Sequence, residues 1–112
     1  MAYFMTASQR NSSGSTLFFE FQKGPYREKH WQSDSLFLQA DLFDRLNLFD
    51  LFKAVIPSFN YFGPTAVSPD QYRILKLTVL EQGGECTALF AELDSWATAC
   101  FQQKPCFSIL GI

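Results

Sequence analysis

Between Glu85 and Lys104 the chain reads ECTALFAELDSWATACFQQK, with apolar residues at 86, 89, 90, 93, 96, 97, 100 and 101. That spacing follows the period of an α-helix. On a helical wheel the stripe spans about 140°, which suits one core-facing side. Pro105 prevents continuation. The run CFSILGI follows, with Phe107 and Ile109 on one side as in a strand. A helix this one-sided requires a second layer to cover its stripe. The upstream segments are expected to supply that layer, by packing on the helix or pairing with the last run.

Ala2–Ala7 has the aromatic and β-branched content of a strand. Thr16–Gln22 reads as a second strand, with Leu17, Phe19 and Phe21 on one face and Phe18, Glu20 and Gln22 on the other. The polar stretch Ser8–Ser15 between them reads as a loop, which makes the three segments a hairpin. Ser35–Gln39 is a third strand. Asp41–Ile56 reads as a helix with Asp41 as N-cap and Pro57 as its stop. Its apolar residues exceed one core-facing stripe, so it is expected either to be buried on two sides or to form an interface. Ser58–Val67 is a loop rich in aromatics. Ser68–Gln82 opens with the capping box Ser68-Pro69-Asp70-Gln71 and stops at Gly83-Gly84, as a helix does. Leu75, Leu77 and Val79 also alternate as in a strand, and the helix is preferred because both end signals agree. The order is then β-β-β-α-α-α-β. It implies an α+β fold in which an antiparallel-rich sheet is covered on one face by about three helices.

The 112 residues suit a single domain, 1–112, able to bury roughly 65% of the surface its unfolded chain exposes. Thirteen phenylalanines are more than such a core usually takes, so some are expected at the surface, where aromatics favour partner contacts. A net charge of −2 argues against nucleic-acid binding, which rests on neutralising phosphates. Cys86, Cys100 and Cys106 are odd in number and lack zinc spacing, so reduced thiols and a cytoplasmic location are expected. MAYFMTASQR has no basic leader or long apolar run, and nothing approaches a membrane span.

No reaction is written in the chain. His30 is the only histidine, which leaves no His-based metal cluster and no Ser-His-Asp set. A Cys-His pair would need His30 to meet a thiol in space, and two of the three thiols lie on the apolar stripe, where thiols are usually inert. Glu85, Glu92 and Asp94 are carboxylates on helix edges with no pocket marked nearby. Lys23–Gln32 is a basic stretch carrying Tyr26 and Trp31, read as a solvated loop or as an anion or partner contact. From Leu77 to Gln103 there are acids at Glu81, Glu85, Glu92 and Asp94 and no base. They form either solvated helix faces or a negative surface for a basic partner.

The segments Tyr3-Phe4, FFEF at Phe18–Phe21, FNYFGP at Phe59–Pro64, AELDSW at Ala91–Trp96 and FSILGI at Phe107–Ile112 sit in a chain whose whole format resembles the immunity proteins of bacterial polymorphic toxins, such as those of contact-dependent growth inhibition. The resemblance implies a small cytoplasmic protein without catalytic activity, cofactor or metal. Such a protein binds a cognate toxin domain, here a nuclease, and blocks its active site. The expected contact residues are Glu81, Glu85, Glu92 and Asp94, with Tyr61 and Phe62 in the adjoining loop. The competing expectation is a homo-oligomeric structural or regulatory domain, prompted by the excess phenylalanine and the apolar segment 41–56.

Overall fold

In a computed structural model, residues 3–13, 17–26, 28 and 32–111 are described. The chain folds as α+β. Its elements run β1 (Phe4–Met5), α1 (Ala7–Ser13), β2 (Phe18–Lys23), β3 (Leu36–Gln39), α2 (Ala40–Arg45), α3 (Leu48–Val55), β4 (Pro64–Val67), α4 (Pro69–Gln82), α5 (Glu85–Phe101) and β5 (Phe107–Leu110). The strands form one antiparallel sheet in the order β1-β3-β2-β5-β4.

The order β-β-β-α-α-α-β is therefore corrected in three places, and one expected pairing is replaced. The polar stretch after β1 is largely helical. Thr6 and Gln9 cap each other reciprocally, Gln9 N–H donating to Thr6 Oγ1 at 3.3 Å and Thr6 N–H to Gln9 Oε1 at 2.9 Å. This is a capping box, written in the sequence as T-x-x-Q. The expected hairpin does not form either, because β1 and β2 both pair with β3, which lies between them.

The segment 41–56 is two helices. Asn47 breaks it with a left-handed backbone, φ 55° and ψ 40°, a conformation that asparagine tolerates better than most residues. Asp41 does not cap, since α2 begins at Ala40 without a side-chain cap. The aromatic loop ends in the fifth strand, β4. Its Thr65 and Val67 face inward and its Pro64 and Ala66 outward.

Gly24 N–H donates to Cys106 O across the β2–β5 ladder. Alternation then turns the backbone of 106, 108 and 110 toward β2, and that of 107 and 109 toward β4. Pro64 and Ala66 consequently point their backbone away from the sheet. The missing N–H of Pro64 thus falls on the open edge, where it removes no ladder bond.

Ser68–Gln82 is a helix, as its ends specify. Gln71 N–H donates to Ser68 Oγ, and Ser68 N–H donates to the Gln71 side chain. Gly83 and Gly84, at φ 70° and 83°, turn the chain into α5.

The helices α2 to α5 cover one face of the sheet. Phe19, Phe21, Phe107, Ile109 and Val67 meet Phe43, Leu48, Phe52, Leu75, Leu89, Leu93 and Ala97 there. A chain of rings runs through this core. Phe19 stacks on Phe43 at 3.9 Å, and Phe52 stacks on Phe59 at 5.3 Å. The phenylalanines are thus largely consumed inside, and Phe62 is the exposed one. The opposite face is buried too. The Arg10 guanidinium of α1 lies 5.1 Å from the Phe37 ring centre. The Glu20 carboxylate, 2% exposed, accepts from Gln32 N–H and Ser35 Oγ–H. The expectation of helices on one face alone is corrected accordingly.

Candidate functional site

The α4–α5 hairpin carries all four acids singled out in the sequence. Helix α4 buries only Tyr72, Leu75 and Val79, a stripe one residue wide. Its other apolar residues stay outside, with Ile74 43%, Leu77 50% and Leu80 64% exposed. Their spacing of three places them along one strip of the helix surface. Glu81 follows at the strip's end, exposed in the last turn of α4, a turn without a base. A carboxylate there faces the negative end of the helix dipole, which is unfavourable.

The other three acids are engaged within the molecule. Glu85 forms a two-point ion pair with Arg45 at 3.0 and 3.3 Å and accepts from Tyr3 O–H. Its carboxyl is held below the usual range chiefly by the Arg45 hydrogen bond. Glu92 accepts from both Tyr3 N–H and Phe4 N–H, at 2.9 and 2.6 Å. Strand β1 is an edge of the sheet, so a carboxylate of α5 stands where a further strand would bond. Asp94 accepts Lys76 Nζ–H at 2.8 Å and Tyr72 O–H at 2.9 Å, both on Oδ1. The Lys76 bond is the main reason its carboxyl lies below the usual range. Burial, then the bond to Asp94, pushes the Tyr72 hydroxyl well above the ordinary tyrosine range.

Two hollows flank this Lys76–Asp94 pair. One, of 560 Å³, is lined by Tyr72, Arg73, Lys76, Leu77, Leu80, Asp94, Thr98, Phe101 and Gln102. The other, of 290 Å³, is lined by Lys76, Val79, Leu80, Thr87, Phe90, Ala91 and Asp94. Lys76, Leu80 and Asp94 belong to both, so the two form one groove between α4 and α5.

The remaining expected contacts separate. Tyr61 turns inward, its ring against Phe19 and Phe43 and its hydroxyl donating to Asp44. Phe62 points outward and is 74% exposed. It stands off the Pro64 end of β4, whereas α4 leaves the Val67 end. The structure thus joins Tyr61 to Asp44 of α2, next to the Arg45 that pairs with Glu85 of the acidic hairpin.

In the basic stretch, His30 and Trp31 lie outside the described residues, and with them any Cys-His pairing. Lys23 lines a polar hollow of 450 Å³ together with Lys104, Gln102 and Asp34. The three thiols are all pushed up by burial. Among the described residues no group of three or more His, Cys, Asp or Glu is gathered as a metal would require. No helix there is long and apolar enough to cross a membrane.

Sequence reasoning missed the groove and the ridge. The signal for the ridge lay in Ile74, Leu77 and Leu80 themselves, which fall off the stripe made by Tyr72, Leu75 and Val79. Comparison with protein-family models, curated proteins and solved structures returned no match.

Proposed function

We propose that this chain is an immunity protein that binds a cognate bacterial toxin domain, a nuclease, and blocks its active site. The observation that supports this reading is the exposed Ile74–Leu77–Leu80 ridge ending in Glu81. Large apolar side chains on the outer face of a helix serve contact with another surface better than contact with water. Glu81 lies where it opposes the helix dipole, and a basic partner relieves that opposition. The toxin's substrate-binding Lys and Arg supply such a base. Glu85, paired but exposed, and the outward Phe62 extend the contact. Glu92 serves the sheet edge instead.

The test starts from the neighbouring reading frames: a large secreted protein with a variable C-terminal domain is expected there, and that domain is co-expressed with this chain. Growth is restored by the wild-type chain, and a stable complex is recovered. Glu81→Lys raises the thermal midpoint of the free protein while weakening the complex, and Leu80→Glu weakens the complex without lowering the midpoint. Failure of the wild-type chain to restore growth or to bind overturns the proposal.

The alternative, a homo-oligomeric structural or regulatory domain, has lost part of its motive. The apolar surplus of 41–56 divides between two helices, with Phe43, Leu48, Leu51 and Phe52 buried and Leu42, Leu46, Phe49 and Val55 packed against the core. Sedimentation at micromolar concentration separates the readings. A 12.8 kDa monomer is expected, and a dimer dispersed by Leu80→Glu favours the alternative.

A further inference from the structure

Beside the end of α5 lies a hollow that the immunity reading leaves unused. Its volume is 450 Å³, within the roughly 300–1,000 Å³ of small-ligand sites. Two lysines enter its lining from different elements. On β2, Phe19 and Phe21 face the core, and alternation puts Lys23 on the same side. Lys104 follows α5, and its stem lies across Gly24, where a Cβ would fall 3.2 Å from Lys104 Cδ. Both lysines are half-buried. Among the described residues neither ammonium is hydrogen-bonded or ion-paired. The stretch Lys23–Gln32, read from the sequence as a solvated loop or an anion contact, has both its ends in this lining.

The charges of the hollow gather around one thiol. Cys100, 1% exposed, is part of the lining. Burial raises its thiol most. The Gly24 backbone and Lys23 oppose the rise, Asp34 adds to it, and Lys104 opposes it. Lys23, Lys104 and Asp34 are therefore all within electrostatic reach of the same sulfur. Asp34 is exposed, is the one acid in the lining, and pairs with neither lysine. Two half-buried like charges disfavour each other, and an anion between them reverses that. A cation at a helix C-terminus also eases the dipole, which accounts for Lys104 but not for Lys23 on β2. The helix end is in any case satisfied, since Cys100 O accepts from Gln103 and Lys104 N–H and Thr98 O from Gln102 N–H.

We propose that this hollow binds a small phosphate monoester rich in hydroxyl groups, such as a sugar phosphate. Its phosphate lies between Lys23 and Lys104, and its hydroxyls meet Asp34 and the glutamine amides. Two ammoniums match a dianion, and lysine binds phosphate as a point charge. Gln22, Gln32, Gln102 and Gln103 supply amides to the lining, and an amide both donates and accepts, as hydroxyl recognition needs. Asp34 only accepts when ionised. It repels the phosphate and takes a hydroxyl, so it sets which end of the ligand lies beside it. The site goes beyond the immunity reading and does not depend on it.

The probes are glycerol and glucose, each phosphorylated on its terminal carbon, with inorganic phosphate and the two unphosphorylated compounds beside them. Each is titrated into the isotopically labelled full chain in low-salt, phosphate-free buffer and followed by NMR. The phosphate esters are expected to shift the amides of Lys23, Gly24 and the segment from Gln102 to Lys104. At least one ester binds about tenfold or more tighter than inorganic phosphate, and the unphosphorylated compounds do not bind. Lys23→Met and Lys104→Met each weaken the ester about tenfold or more. Neither lowers the thermal midpoint, because neither ammonium has a partner to lose. Asp34→Ala strengthens inorganic phosphate and narrows the preference for the ester. The comparison of the probes on the wild-type chain needs no variant at all. No binding by either ester, shifts confined to other surfaces, or an affinity unchanged in both lysine variants overturns the assignment. Inorganic phosphate bound as tightly as the esters overturns hydroxyl recognition, and equal binding of the unphosphorylated compounds overturns the role of the lysines.

Discussion

Glu92 shows how one side chain can change role between a helical wheel and a fold. On the wheel it is an acid at the edge of an apolar stripe. In the fold its carboxylate takes two backbone N–H groups of the β1 edge. Hydrogen bonds to a charged acceptor are worth about 1.5–3 kcal/mol each, and more is lost when a buried donor is left unpaired. Glu92→Gln is therefore expected to lower unfolding stability by about 1–3 kcal/mol in urea titrations, and Glu92→Lys by more. A charge-reversal test of toxin binding is better placed at Glu81, whose carboxylate holds up no strand. Asp94 behaves differently because its role is set by protonation. Its folded carboxyl lies below the usual range, so the unfolded chain takes up the proton first as pH falls. Stability from this group is present above about pH 4, the ordinary aspartate value, and is lost as pH drops through the folded value. The difference in thermal midpoint between wild type and Asp94→Asn should be greatest near neutrality and vanish in strong acid. A difference that grows on acidification would contradict this. Because both Lys76 and Asp94 are more than a third exposed, solvent keeps the effect small.

At the scale of elements, capping chemistry and periodicity fared differently from breaks and edges. The Ser68 capping box, the Gly83-Gly84 stop and the α5 stripe all depend on residues within a few positions of one another, and the fold keeps them. The break at Asn47 depends on the helices packing on either side of it. A straight helix through 41–56 would leave part of its apolar surface uncovered. With a turn at Asn47, Phe43 and Phe52 both reach the core, their rings stacked at 6.1 Å. Asn47→Val, which places a β-branched residue at φ 55°, should cost about 1–2 kcal/mol. Asn47→Gly should stay within about 1 kcal/mol of wild type. Both are read from denaturant midpoints, and equal costs would show that the left-handed backbone is not what matters. Strand β4 was hidden by its own first residue, since Gly63-Pro64 reads as a turn. Proline at the outward-facing start of an edge strand is compatible with pairing, but edge position is a property of the sheet.

For the whole molecule, the close approach of Gly111 to the aromatic loop ties the sheet to the segment that precedes β4. A Cβ on Gly111 would fall 1.7 Å from Tyr61 O, so Gly111→Ala must push the loop away from β5. It should lower the unfolding midpoint and raise hydrogen exchange at Asn60 and Phe62. An unaltered midpoint would show that the loop yields freely. The choice of β2 as neighbour of the strand after Pro105 came from the fold, whereas the sequence by itself determined the α+β class, the helix within 68–82, a helix starting at Glu85 and stopped before Pro105, and that strand itself. Each follows from short-range periodicity and end signals, because a helix or strand must bury one stripe or one face whatever surrounds it. Only the tertiary structure decided where the excess apolar and charged residues go. It sent Phe19, Phe43 and Phe52 into one ring stack and left Ile74, Leu77 and Leu80 outside. It drew Glu85, Glu92 and Asp94 into bonds with Arg45, the β1 backbone and Lys76. Those partners lie between 18 and 89 residues away in sequence. Solvation and pairing of a surface acid depend on what the fold brings within about 3 Å of it, and local pattern carries no record of that. The helix Glu85–Phe101 accordingly kept the core stripe its sequence announces, while its acidic edge acquired its meaning from neighbours that only folding supplied.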